Sequence, residues 1–349
     1  MPDTRGIVIS FVVCVLSILV GLAAFFWVTP PPRTDFPLAR FRDGGAYEAD
    51  PSAGYRPRPN LATRDVAGPI EFDVFTDSRG ARISTPGEMV ASPTVVITGA
   101  SQAWGHGVQN EKTFAQMLGL PAVNLSVPSY GTASSLARLR SYLNLHPKFV
   151  IYAVSEQDFS SNVHPCIELG APVCIGRPYV RFVGSQPQIV SPHTTAADLI
   201  RARDWFMQTS SRTEAYRTFF TDVKWTAAVL WHRIVTRAVP DPSFAEMVTA
   251  MNFLIDKMKD TADTMGAKFL VVYLPSYRES IISDPPEPMV SFLRARNIAF
   301  IPMADAFRDL RSRGASLELP DGHMNEVAHE RTASDIRQAL SSRFQSEGN

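Results

Sequence analysis

Two short stretches of this chain carry residues that could do chemistry together. The first is Gly99-Ala100-Ser101, followed by Gln102-Ala103-Trp104-Gly105-His106-Gly107; the second is Pro320-Asp321-Gly322-His323, with an aspartate and a histidine in Asp-x-His spacing. A serine, an imidazole and a carboxylate are the parts of a nucleophilic acyl-transfer site. The imidazole takes the hydroxyl proton, and the carboxylate fixes its tautomer and stabilises the imidazolium. A glycine turn after a buried strand admits a second chemistry, because its backbone N–H groups can instead seat a dinucleotide phosphate.

The elements around these residues fit a parallel sheet. Val95-Val96-Ile97-Thr98 is a continuous apolar or β-branched run entering the Gly99 turn, as a strand buried on both faces requires. The strands expected are Thr94 to Thr98, which contains this run, Ala122 to Leu125, Phe149 to Val154, Lys268 to Leu274 and Ile298 to Pro302, alternating with helices. Leu136, Leu139 and Leu143 predict a helix over Ser134 to Leu145, and Met247, Met251, Leu254 and Met258 predict another with its stripe facing the core. A last helix runs from Glu326 towards Phe344. Ahead of the sheet, Ile70 to Thr76 alternates apolar and polar residues and is followed by the turn Asp77-Ser78-Arg79-Gly80, which predicts an amino-terminal hairpin packed on the main domain. The segment 159–244 is too long for a simple crossover, and its aromatic clusters predict inserted helices.

The phosphate alternative lacks its companions. It needs further glycines where Gln102-Ala103-Trp104 stands, and no tyrosine is followed by lysine four residues on, as short-chain dehydrogenases require. The serine alternative gains two segments at the carboxyl ends of neighbouring predicted strands, Asn124-Leu125-Ser126-Val127-Pro128-Ser129-Tyr130-Gly131 and Ser155-Glu156-Gln157-Asp158. Open α/β sheets place their ligand crevice at such ends. With the Ser101 turn and Asp321-Gly322-His323, these segments resemble the blocks of the SGNH (GDSL-like) hydrolases, over roughly Tyr55 to Phe344.

The resemblance implies an α/β, flavodoxin-like three-layer sandwich with a parallel sheet of about five strands, and a serine esterase or acyl transferase that needs no cofactor. It implies Ser101 as nucleophile, His323 as base and Asp321 as its partner, with the oxyanion held by the N–H groups of Ser101 and Ser126 and the side-chain amide of Gln157. Ala100, Ser126 and Gln157 depart from the family's aspartate, glycine and asparagine. A catalytically inactive domain that binds an acylated glycan or serves envelope polysaccharide assembly is therefore the alternative reading. Glu156, next to Gln157, could equally face the oxyanion. His106 and Tyr130 are candidate substrate contacts, and Trp104 lines or covers the crevice. His323 and His329 with Asp321 do not match a familiar zinc spacing and no cysteine accompanies them, so no metal is expected; His329 reads as a helix residue packed near the loop.

Composition bounds the setting. A chain of 349 residues, 45% hydrophobic and with formal net charge +0, can bury one sizeable core and offers no broad attraction for nucleic acid. Gly6 to Val28 is an uncharged apolar run long enough to cross the roughly 30 Å hydrocarbon core, ending in interfacial Trp27, so residues 1–28 are expected to be a membrane anchor. Residues 29–60 are rich in proline and read as an extended spacer, and 61–349 as the α/β domain with its insertion at 159–244. Cys166 and Cys174 flank a loop-like segment, and either close a small disulfide or stand as two core thiols. The expected setting is a single-pass membrane protein with its main domain extracytoplasmic, acting on acylated carbohydrate or lipid.

Overall fold

The computed structural model describes residues 45–67, 69–167, 174–191, 194–209, 242–275, 277–278 and 281–344, together with Ser17 and Gly21. The predicted span over 6–28 otherwise lies outside the described residues, and among the described residues no helix is long and apolar enough to cross a membrane. The chain divides into two compact units, Met1–Thr34 with Trp205–Val239, and Asp35–Asp204 with Pro240–Asn349. The second unit holds the sheet and the candidate site.

In chain order the described elements begin with β1 (Tyr47–Asp50), β2 (Gly54–Pro57), β3 (Ala62–Ala67), β4 (Ile70–Thr76), β5 (Arg82–Ile83) and β6 (Val95–Gly99). They continue with α1 (Ser101–Trp104), α2 (Phe114–Met117), β7 (Ala122–Asn124), α3 (Thr132–Arg140), β8 (Phe149–Ser155) and α4 (Glu156–Ser161). Next come β9 (Cys166–Ile167), β10 (Ile175–Gly176), β11 (Tyr179–Val183), β12 (Gln186–Val190), α5 (Ala196–Thr209) and α6 (Phe244–Thr264). The chain then adds β13 (Lys268–Leu274), β14 (Tyr277–Arg278), β15 (Ile281–Ile282), α7 (Glu287–Ala295), β16 (Ala299–Pro302), α8 (Ala304–Ser312) and α9 (Glu326–Phe344).

The main sheet has the order β16-β13-β8-β6-β7-β5-β4-β3. Its first five strands are parallel, as the apolar runs predict. The expectation of a sheet of that size is corrected by three antiparallel strands that extend it past β7. The predicted hairpin is thus no separate packing layer: β4 pairs β5, which bonds to β7 through Arg82 opposite Asn124. Strands β6 and β8 are buried along almost their whole length, and their alternation sends side chains to both faces. Val150, Tyr152 and Val154 meet Leu136, Met251, Leu254 and Met258 on one side, where α3 and α6 lie. Ile151 and Ala153 meet Phe114, Phe307, Met324 and Ala328 on the other, beneath α2, α8 and α9. The result is an α/β three-layer arrangement with a mostly parallel central sheet.

Two further expectations change. Residues 45–60 of the predicted spacer are folded: β1 and β2 form a hairpin whose Tyr47 and Tyr55 are buried, and Tyr55 donates its hydroxyl to Pro128 O at 2.5 Å. Proline at Pro51 and Pro57 suits a turn and a strand end as well as an extended linker, so composition alone could not separate the two. The described part of 159–244 carries two β-hairpins, β9 with β10 and β11 with β12, besides α5. Cys166 and Cys174 are joined by a disulfide.

His329 is fully buried on α9, stacked on Phe114, and its Nδ1 accepts the Phe114 N–H at 3.1 Å. Burial pushes its pKa down to about 3, with the charge of Arg82 adding to the effect. The unfolded chain, with an ordinary histidine, therefore binds a proton between about pH 6.5 and 3 that the folded chain refuses, and stability falls as pH drops through that window. Lowering the pH from 7 to 5 should cost about 2 kcal/mol through this residue. His329→Asn, whose amide oxygen can accept the same N–H, should show a correspondingly smaller loss in urea denaturation at the two pH values. An identical loss in both proteins would remove His329 as the cause.

Candidate active site

The carboxyl ends of β6, β7 and β8 lie side by side, with Ile97 opposite Asn124 and Gly99 opposite Ala153. Ser101 therefore leaves the sheet at its middle. It is the first residue of α1, whose cap Ala100 has extended backbone, so the Ser101 N–H lies in the first turn, where helical N–H groups have no intrahelical acceptor.

The chain returns to this point 222 positions later. Leu319 N–H donates to His323 O at 2.7 Å and Gly322 N–H to Leu319 O at 2.9 Å, closing a tight loop. Asn325 then caps α9 through the Ala328 N–H at 3.2 Å, and its own amide donates to Ser316 O at 2.9 Å. Within this loop Asp321 accepts the His323 backbone N–H at 3.1 Å and faces the His323 Nδ1 at 2.9 Å. On the other side of the ring, His323 Nε2 is 2.9 Å from Ser101 Oγ. With an ionised Asp321 able only to accept, Nδ1–H is the donor and Nε2 is left to accept the serine hydroxyl proton. Ser101 and the His323 side chain are 6% and 12% exposed, so both are largely shielded from solvent.

Burial by itself raises the pKa of the Asp321 carboxyl. Hydrogen bonds from His106 and His323, with the charge on His323, outweigh this and hold it well below the usual carboxylate range. Asp321 is thus anionic wherever the site would work. The donor atoms of His106, Asp321 and His323 lie within 4.8 Å of one another, close enough to be drawn as a cation site. A cation there would compete with the hydrogen bond that orients His323. His329 contributes to no such group among the described residues, since its Nδ1 is turned to Phe114.

Gln102, which carried no signal in the sequence beyond standing next to Ser101, ties the two halves together. Its amide oxygen accepts the Met324 N–H at 2.8 Å and its amide nitrogen donates to Gly322 O at 3.3 Å. One side chain beside Ser101 thereby holds both flanks of His323. Arg82 holds the other side of the turn. Its guanidinium, 2% exposed, donates to Trp104 O at 2.8 Å, Val108 O at 2.7 Å, Asn110 Oδ1 at 2.8 Å and also Gly105 O. Gly105 and Gly107, with φ of 83° and 87°, adopt the left-handed backbone that drives His106 inwards between them. A Cβ on Gly107 would lie 2.1 Å from Leu319 Cδ1, so that turn also packs directly on the His323 loop.

Three expected roles, those of Ser126, His106 and Tyr130, are corrected by these contacts. Ser126 is fully buried and its N–H donates to Asn124 Oδ1 at 3.1 Å, so this donor is spent within its own loop. Asn124 is fixed in turn by donating to Ala103 O at 2.9 Å. Gln157 stands in the first turn of α4 with its side chain exposed to solvent. His106 is 1% exposed and lies behind Asp321, where it cannot touch a substrate. Tyr130 is equally buried and donates its hydroxyl to Tyr55 O, pinning the β1–β2 hairpin; burial pushes its pKa far above the ordinary tyrosine value. Trp104 covers the turn from below, packed with Phe72 and Val74.

No protein-family model matches the sequence, and no curated protein matches it. Among solved structures the chain is similar to a member of the lipolytic protein G-D-S-L family from Veillonella parvula, at 7% identity and a TM-score of 0.36, covering 71% of this chain and 98% of that one. It is also similar to LAE5, an alpha/beta hydrolase enzyme from the metagenome of Lake Arreo, at 12% identity and a TM-score of 0.40, covering 72% of this chain and 97% of that one. A third is the psychrotrophic esterase EstA from a Pseudoalteromonas species, at 13% identity and a TM-score of 0.36, covering 73% of this chain and all of the other.

Proposed function

We propose that this chain is a serine esterase or O-acyl transferase of the SGNH type, acting on ester-linked acyl groups of an envelope polysaccharide or lipid. The observation that carries the reading is the unbroken row Ser101 Oγ, His323 Nε2, His323 Nδ1 and Asp321 Oδ2, with 2.9 Å at each of its two hydrogen bonds. The apolar run 6–28 would anchor the chain, and the Cys166–Cys174 disulfide supports an oxidising, extracytoplasmic setting.

In the first half-reaction Ser101 Oγ forms a bond to the ester carbonyl carbon while its proton passes to His323 Nε2. The carbonyl electron pair moves to oxygen, where the Ser101 N–H at the start of α1 is positioned to donate. Asp321 stabilises the imidazolium. The oxygen pair then returns, the ester C–O bond breaks, and His323 gives its proton to the leaving alkoxide. Water or a sugar hydroxyl, deprotonated by His323, resolves the acyl-serine by the same steps in reverse order.

With the Ser126 N–H committed to Asn124, a second oxyanion donor has to come from elsewhere, such as the exposed Gln157 amide folding in over bound substrate. This same observation favours the second reading, a binding domain that holds an acylated glycan without turnover. Labelling the full chain with a fluorophosphonate ester separates the two. An adduct located on Ser101 by mass spectrometry supports the enzyme; folded protein with neither adduct nor turnover of p-nitrophenyl acetate overturns it.

Because Gln102 sets the position of His323, Gln102→Ala should lower kcat/KM for that ester about 100-fold. Thermal stability should fall by only about 1–3 kcal/mol. Unchanged kinetics would show that the loop holds His323 without the clamp.

A further inference from the structure

The Asp321 carboxylate is gripped from two sides. His323 Nδ1 lies 2.9 Å from Oδ2, and His106 Nε2 lies 3.5 Å from the same oxygen. The two imidazole rings stand 4.5 Å apart between centroids at 61°. Behind His106, Asp65 Oδ2 on β3 lies 3.8 Å from its Nδ1, and the Phe72 ring packs against the imidazole in a T-shaped arrangement with centroids 5.1 Å apart. A histidine that is 1% exposed has few reasons to be held between two carboxylates by a pair of left-handed glycines, because burying a polar ring costs free energy unless its nitrogens are used.

We propose that His106 is a positioning residue for the acyl-transfer site, its Nε2–H fixing Asp321 and, through Asp321, the orientation of His323. The functional row then runs Asp65, His106, Asp321, His323, Ser101, alternating carboxylate and imidazole until it reaches the nucleophile. This rests on the serine-hydrolase reading above. His106 differs from the other buried polar groups near the site in that it bears on the carboxylate itself.

The charged groups packed round this imidazole are Asp65, Asp321 and His323, with the Arg82 guanidinium bonded to the neighbouring Gly105 O. An N–H donated to Asp321 draws off negative charge that would otherwise favour the His323 imidazolium. Removing that donor should therefore raise the pH at which His323 gains its proton, and with it the acid limb of kcat/KM. A contribution to packing alone would move neither.

The experiment is a nitrogen NMR titration of the histidines in the ¹⁵N-labelled full-length chain, run on wild type, His106→Asn and His106→Gln, each checked for folding by thermal melting. Wild type should show His106 protonated on Nε2. The Asn amide falls short of Asp321, and His106→Asn should raise the His323 midpoint by about one pH unit and cut kcat/KM about tenfold. The longer Gln amide reaches the place of Nε2, and His106→Gln should restore most of both. A His106 protonated only on Nδ1 in wild type, or an unmoved His323 midpoint in folded His106→Asn, overturns the proposal, and the first of these needs no variant at all. Should wild type resist the fluorophosphonate yet give the expected tautomer and titration, the catalytic reading fails while the positioning of Asp321 by His106 stands.

Discussion

Ser101→Ala should abolish fluorophosphonate labelling and lower ester turnover by on the order of 10⁶-fold, while the protein remains folded. The size of the effect follows from the chemistry. Without the hydroxyl no acyl-enzyme forms, His323 has no proton to receive from the nucleophile and Asp321 no imidazolium to stabilise; only binding and whatever oxyanion donors remain can then assist direct attack by water. The cost to folding is small. Ser101 Oγ makes one hydrogen bond, to His323, rather than packing in the apolar core, and alanine suits the first turn of α1, so a melting temperature within a few degrees of wild type is expected. Measured together, the two readouts separate chemistry from structure. A variant that keeps more than about one hundredth of the wild-type rate would remove Ser101 from the nucleophile's role.

Arg82→Met is expected to have the largest effect on stability, about 3–5 kcal/mol. The Arg82 guanidinium is the shared donor for three carbonyls of the turn after Ser101, those of Trp104, Gly105 and Val108, as well as for Asn110 Oδ1 and Asp73 O at 3.3 Å. It also lies 5.5 Å from the centres of both the Phe72 and Trp104 rings. Burial draws its pKa down to about 9, against the opposing pull of Asp65, so it is still cationic at neutral pH. Methionine fills a similar volume and supplies none of the N–H groups, leaving several buried acceptors without a donor. In a domain of this size the loss should lower the melting temperature by roughly 10 °C. A drop of less than about 2 °C would mean that water replaces the guanidinium at little cost. Arg82→Lys should recover only part of the difference, because one ammonium cannot span carbonyls on both sides of His106.

Much of the scaffold is written locally. A strand buried on both faces must be apolar along its length, so Val95–Gly99, Phe149–Ser155 and Lys268–Leu274 can be placed to within a residue or so from composition alone. The stripe Met251, Leu254 and Met258 recurs at the helical period because one face of α6 meets the sheet. The partners Ser101, Asp321 and His323 are legible for a related reason. A nucleophile at a strand end and an Asp-x-His loop before a helix are each set by a few adjacent residues, and only their meeting requires the fold.

What tertiary structure decided is the fate of the polar groups whose partners lie far away in sequence. The Ser126 N–H looks like a free oxyanion donor until the Asn124 side chain, oriented by Ala103 O, takes it. His106, flanked by glycines, reads as a candidate substrate contact, yet β3 and the loop before α9 close over it with Asp65 and Asp321. Tyr130 is drawn inwards by a hairpin that proline content disguised as a linker. Sequence determined which residues could be nucleophile, base and carboxylate, because backbone periodicity and turn chemistry are local. It could not determine which donors stay available to them, because a hydrogen bond is claimed by whichever partner the packed chain brings within 3 Å or so, and that partner is chosen by the whole fold.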